Sequence, residues 1–174
     1  MAAPAQAVSR LLVDLPGPGA TEALAGAIAA LARPGDVIAL FGDLGAGKTV
    51  FARAFVNARR AARGLAAEEV PSPTFTLVQI YDLPDGSVWH FDLYRLGAPE
   101  EVYELAFDEA LADGIALIEW PARLGPLLPA ERLDVRLDHA GAGADGRRAA
   151  LVGHGGWAAR LDALDPAGLD AADG

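Results

Sequence analysis

Apolar and polar positions recur along this chain with periods that predict most of its elements. Val8 to Leu15 alternates loosely, as an edge strand does. Pro16-Gly17-Pro18-Gly19 interrupts it, and Thr21 is a good N-cap for a helix over Glu22 to Ala32. Leu24, Ile28 and Leu31 recur there at helical spacing. Arg33-Pro34-Gly35-Asp36 turns the chain into Val37 to Phe41, a continuous apolar run of the kind buried on both faces of a sheet. A glycine-rich turn then leads to a helix over Thr49 to Ala62, with Phe51, Phe55 and Val56 inward.

Pro71-Ser72-Pro73-Thr74 must be irregular, because each proline lacks an amide donor and disfavours helix before it. Thr76 to Tyr81 and Val88 to Phe91 read as a hairpin around Pro84-Asp85-Gly86. Pro99 opens a broken helical segment running to Ala112, and Gly114 precedes a second buried-type strand, Ile115 to Ile118. Leu133 to Leu137 and Ala149 to Val152 form another hairpin around a glycine-rich turn at 141–146. A last helix is expected over Trp157 to Leu164. The whole is an α/β protein with a mixed sheet flanked by helices: one domain over 1–160 and an acidic, frayed tail over 161–174.

Composition narrows the function. The chain has 174 residues, enough for one ordinary domain that needs no disulfide staples. Cysteine is absent, which excludes thiolate catalysis and cysteine metal sites, and His90, His139 and His154 show no zinc-type pairing. Fourteen basic residues against 24 acidic give a net charge of −10, so unaided nucleic-acid binding is disfavoured. No stretch is long and apolar enough to span a bilayer, and Met1 to Arg10 lacks the pattern of a secretory signal, so a cytoplasmic protein is expected. The one lysine, among thirteen arginines, is Lys48.

That lysine stands in Gly42-Asp43-Leu44-Gly45-Ala46-Gly47-Lys48-Thr49, a complete G-x-x-x-x-G-K-[ST] motif. The spacing has a chemical reason. Glycines let successive amides turn inward around phosphates, and the following helix presents its positive N-terminus. Lys48 reaches the β- and γ-phosphates, and the Thr49 hydroxyl is placed to ligate Mg²⁺. A chance match is expected in about 1 in 100 chains of this length, and here the motif has the confirming context of a buried strand before it and an amphipathic helix after it.

Such a cradle also needs an acid at the C-terminal end of a buried strand. Asp92 follows Val88-Trp89-His90-Phe91, and Glu119 follows Ile115-Ala116-Leu117-Ile118; the pattern alone leaves open which one touches the metal. Thr74 and Thr76 lie where NTPases place a loop that senses γ-phosphate, and a plain turn fits the spacing equally well. Arg147 and Arg148 either touch nucleotide or are simply exposed, and Arg59, Arg60 and Arg63 read as a solvated face of the second helix. Guanine readers of the Ras type use N-K-x-D, for which no lysine remains, so adenine is the expected base.

Four blocks in order make the chain resemble a known family: the loop at 42–49, Ser72-Pro73-Thr74-Phe75-Thr76-Leu77-Val78, His90-Phe91-Asp92-Leu93-Tyr94-Arg95-Leu96, and Ile118-Glu119-Trp120-Pro121. Over roughly residues 8–153 it resembles TsaE, the bacterial ATPase of tRNA threonylcarbamoyladenosine biosynthesis. The resemblance implies a P-loop NTPase fold with ATP and Mg²⁺ as ligands. It implies support of the TsaB–TsaD heterodimer, which performs the transfer to adenosine 37, with tRNA met indirectly through those partners. Position by position, it puts the ATP loop on Leu44, Gly45, Ala46, Gly47, Lys48 and Thr49. The magnesium ligands fall on Thr49 and Glu119, and catalytic roles on Lys48 and Asp92. Further nucleotide contacts fall on Gly146 and Arg147, with an adenine-side contact near Thr21. Two rivals use the same cradle: a small-molecule kinase, for which no lid motif is evident, and a non-hydrolysing adaptor docking through Trp120 and the Trp89–Leu96 segment.

Overall fold

The computed structural model describes residues 6–141 and 145–169. Seven strands form one mixed sheet: β1 (Val8–Leu15), β2 (Val37–Phe41), β3 (Val78–Tyr81), β4 (Val88–Asp92), β5 (Ile115–Glu119), β6 (Leu133–His139) and β7 (Arg147–His154). Their order across the sheet is β1-β7-β6-β2-β5-β4-β3. The central pairs β6/β2, β2/β5 and β5/β4 are parallel, and antiparallel pairs flank them on both sides. The expected edge position of β1 and the expected mixed sheet are both found.

The helices α1 (Pro18–Leu31), α2 (Lys48–Ala61) and α4 (Gly156–Asp162) cover one face, over a core that includes Leu24, Ile28, Phe51, Phe55, Leu117 and Trp157. A smaller core on the other face joins Phe91, Ile118 and Leu124 to α3 (Phe107–Asp113). Strands β2 and β5 are buried almost throughout, which is why their sequences lack alternation. No helix of the described residues is long and apolar enough to cross a membrane.

Several boundaries differ from expectation, each for a local reason. Helix α1 starts about one turn earlier than Thr21 suggests: Gly17 is the N-cap, Pro18 takes the first turn, and Thr21 is buried inside the helix. Strand β3 starts at Val78 rather than Thr76, because Leu77 adopts a left-handed conformation (φ 66°) that turns the chain into the strand. The segment after Pro99 is a 3-10 helix, Pro99–Leu105, then α3, separated by left-handed Ala106. A second 3-10 stretch, Pro121–Leu127, was not anticipated. Within 161–169, Leu161 in α4 and Leu169 are buried on the core, and most of the residues between them are exposed. Residues 170–174 and the turn residues 142–144 lie outside the described residues.

The arginines of α2 are not a uniform solvated face. Arg59 is 5% exposed and donates to the carbonyls of Ala29 (3.0 Å) and Ala32 (2.8 Å) at the end of α1, and to Asp85 (2.7 Å) in the β3–β4 turn. Arg63 also pairs with Asp85, and Arg60 with Glu68 (2.6 Å). Helix α1 carries no basic residue in its own last turn, so a neighbouring helix supplies the cation its orphan carbonyls attract.

Candidate nucleotide site

The site lies at the C-terminal ends of β2, β4 and β5, and the period of a strand decides what reaches it. On β4, Val88, His90 and Asp92 share the face packed by α1 and α2, while Trp89 and Phe91 belong to the opposite core. On β5 the same parity puts Ile115, Leu117 and Glu119 on that face. Asp92 and Glu119 are register partners across the parallel pair, so two acids end side by side beneath the start of α2.

Between β2 and α2 the chain makes a tight loop. Gly42, Gly45 and Gly47 all have positive φ (146°, 78° and 105°), the region in which side chains are strained. At Gly42 space is also short: a Cβ would sit 2.6 Å from the Leu137 carbonyl oxygen and 2.9 Å from the Ala46 Cβ. The N-cap of α2 is Gly47, with no side-chain cap and no acid in the first turn. Its amides and the positive end of its dipole are therefore left to an anion.

Lys48 is 5% exposed, and its ammonium donates to the carbonyls of Gly42 (2.6 Å) and Asp43 (2.9 Å). The ammonium also lies 4.3 Å from the ring centroid of Trp120. Burial lowers its pKa below the ordinary lysine range, opposed by the charges of Glu119, Asp92 and Asp43. Thr49 donates its hydroxyl to Glu119 Oε1 at 3.0 Å. Asp92 accepts from the Ser72 hydroxyl (3.2 Å) and from the Tyr94 amide (3.1 Å), and the Ser72 and Thr74 hydroxyls are 2.9 Å apart. Lys48, Thr49, Ser72, Thr74, Asp92 and Glu119 thus line one cleft of about 380 Å³.

Of the other expected residues, Leu44, Gly45 and Gly47 line this cleft, and Ala46 is buried behind it. Arg147 reaches the loop from β7, donating to the carbonyls of Ala46 (3.2 Å) and Gly45 (3.1 Å). With Thr21, Pro18 and Asp145 it lines a hollow of about 110 Å³ on the other side of Gly45–Gly47. Gly146 is not part of either cavity; it belongs to a neighbouring hollow with His139 and Arg148. Arg148 is exposed and pairs with Asp14 (2.9 Å), away from the loop. Sequence reasoning missed His90: it is fully buried, with Nε2 2.9 Å from Glu119 Oε1. Its position two residues before Asp92 on one strand face was the available signal.

The donor set suits Mg²⁺. The Asp92 and Glu119 carboxylates and the Thr49, Ser72 and Thr74 hydroxyls supply hard oxygen donors, with the Lys48 ammonium and the Arg95 guanidinium on the same walls. Among the described residues no group of three or more His, Cys, Asp or Glu could hold a metal. An ion here therefore needs the Thr49 hydroxyl and non-protein oxygens, which is how Mg²⁺ is ordinarily held.

Comparison with known proteins adds an independent line. The family model described as threonylcarbamoyl adenosine biosynthesis protein TsaE matches residues 15–149. The tRNA threonylcarbamoyladenosine biosynthesis protein TsaE of Rickettsia bellii is 41% identical over 119 residues, 67% of this chain and 78% of that protein. Its namesake in Bacillus subtilis is 40% identical over 126 residues, 71% and 75% of the two. The crystal structure of YdiB from Bacillus subtilis superimposes with a TM-score of 0.67 at 31% identity, covering 96% of this chain and 98% of that one.

Proposed function

The chain belongs to the TsaE family, and from that premise we propose that it is a Mg²⁺-dependent P-loop ATPase of tRNA threonylcarbamoyladenosine biosynthesis. Its partner in this reading is a TsaB–TsaD-type heterodimer, which carries out the transfer and contacts the tRNA. The observation that carries the nucleotide part is the Thr49–Glu119 hydrogen bond lying under an uncapped, acid-free start of α2. A phosphate-binding helix end, a lysine and a hard-oxygen pair converge on one cleft.

In the proposed reaction a water attacks the γ-phosphorus of ATP, and ADP and phosphate leave. Lys48 and the loop amides neutralise the phosphate oxygens. Thr49 and Glu119 would hold Mg²⁺, which would supply charge stabilisation to the phosphates when bound. Asp92 orients the water, and its hydrogen bond with Ser72 links it to the loop that carries Thr74. Phosphoryl transfer is mostly positioning and charge stabilisation, so a partner that tightens this cleft raises a weak intrinsic rate.

The test is reconstitution of the modification with the transferase partners, measuring ATP turnover and modified tRNA. Glu119→Ala is expected to keep measurable nucleotide binding and to lose Mg²⁺-dependent hydrolysis, and Lys48→Ala to lose both. Undiminished hydrolysis by Glu119→Ala would sink the assignment of that acid. Modification that continues with Lys48→Ala would remove the ATPase from the pathway.

A further inference from the structure

His90 is the one fully buried polar side chain of the described residues whose chemistry the site has not used. It sits in the middle of β4, opposite Leu117 of β5, and its side chain is diagonal to Glu119 on the same sheet face. Nε2 lies 2.9 Å from Glu119 Oε1, while Nδ1 is buried with no hydrogen-bond partner. A carboxylate oxygen only accepts, so Nε2 donates in this bond, while Nδ1 has no partner. Leaving that nitrogen unpaired in the interior costs stability. An aliphatic side chain among Val88 and Leu117 would avoid the cost, so packing does not account for a histidine here.

The distribution of bonds on Glu119 gives the histidine a task. Oε1 accepts from both Thr49 and His90, whereas Oε2 accepts from nothing among the described residues. Glu119 itself lines the cleft. Two donors on one oxygen fix the rotation of the carboxylate about its last bond and leave the second oxygen available. Of those donors only His90 stands on the rigid sheet, clear of the nucleotide loop and its helix.

We propose that His90 is a positioning residue for the metal site: its Nε2–H pins Oε1 of Glu119, so that Oε2 is presented to the cleft beside Thr49. This rests on the reading of the cleft as a Mg²⁺–nucleotide site. Donors behind a metal-holding side chain typically change metal affinity about 10- to 100-fold when removed.

The experiment is calorimetric titration of the full chain with a non-hydrolysable ATP analogue, in excess Mg²⁺ and in chelator, so that no turnover is needed. The quantity read is the gain in affinity that Mg²⁺ confers. His90→Phe and His90→Leu are expected to bind the metal-free analogue within about two-fold of wild type and to lose about ten-fold or more of the gain. His90→Gln, whose amide nitrogen can occupy the place of Nε2, is expected to recover most of it. Loss of metal-free and metal-dependent binding together would mean a merely structural role and would overturn the proposal, as would a full gain in His90→Phe. If the apolar variants do not fold, His90→Asn replaces them. Its amide is one carbon shorter, and a gain equal to that of His90→Gln overturns the proposal too. A wild type with no Mg²⁺-dependent gain would instead refute the underlying reading of the cleft, and the proposal with it.

Discussion

Replacing Arg59 by Met separates what holds the phosphate-loop helix in place from what binds phosphate. The guanidinium donates to Ala29 and Ala32 carbonyls that have no partner of their own at the end of α1, and these bonds are lost. Hydrogen bonds to a charged group contribute about 1.5–3 kcal/mol each. Two terms reduce the sum. Methionine keeps most of the apolar contact of the arginine stem, and the burial that lowers the Arg59 pKa marks a desolvation cost that its removal recovers. The Asp85 contact adds little, because that carboxylate is 41% exposed and keeps Arg63. A net loss of about 2–4 kcal/mol follows, and at about 2–4 °C per kcal/mol for a chain of this size the melting temperature falls by roughly 4–16 °C. Urea unfolding should show a lower midpoint at unchanged slope. Arg59 is eleven residues from Lys48, about 16 Å along the helix, so nucleotide affinity of the folded variant at 25 °C should stay within about two-fold. A stability loss under about 0.5 kcal/mol would mean that desolvation cancels the hydrogen bonds, and a large fall in affinity would mean that this clamp sets the loop itself.

Gly42→Ala should destabilise the fold by about 3 kcal/mol and abolish nucleotide binding, since its Cβ meets the Leu137 carbonyl and the Ala46 side chain. Gly45→Ala, in open space but at φ 78°, should cost only the strain of about 1–2 kcal/mol; equal melting temperatures for the two would refute the steric argument. Asp85→Asn tests an acid-side linkage. The hydrogen bond from Arg63 chiefly holds the Asp85 pKa below the ordinary carboxylate value, so its stabilisation is present above about pH 4 and disappears as pH falls through the folded-state pKa. The variant should therefore be less stable than wild type near pH 6, by under about 1 kcal/mol, and equal to it in strong acid; a gap that persists there would contradict the sign.

What the sequence disclosed and what it hid divide along one physical line. Strands β2 and β5, the α2 stripe and the loop between them are set by neighbours in the chain, and local patterning carried them. Lys48, Thr49 and the two acids were legible because their spacing encodes strand ends and a helix start. Arg59 was misjudged because its partners, Ala29, Ala32 and Asp85, come from two other elements. His90 was passed over because its meaning depends on β4 lying beside β5, which no local pattern states. Arg147 and Arg148 are adjacent in sequence and identical in type, yet strand alternation sends one to the phosphate loop and the other to Asp14.

Backbone strain is placed by the same site. Among described residues, three that are not glycine have positive φ: Leu77, Ala106 and Trp120. Two of these bracket the cleft. Leu77 accepts the Asp92 amide at 2.9 Å, so the turn it makes ties the Ser72–Thr74 loop to the strand end that carries the acid. Trp120 directly follows Glu119, and its left-handed turn brings the indole over the Lys48 ammonium and within 5.0 Å of the Tyr94 ring. Such conformations cost about 1–3 kcal/mol each and persist only where surrounding contacts over-determine them. At Trp120 those contacts are the lysine and an aromatic neighbour, both of which line the cleft. Each acid is therefore followed or fastened by a strained residue: at Trp120 the compensating contacts lie in the cleft, and at Leu77 they are backbone bonds to Asp92 and Pro73 and packing on the second core.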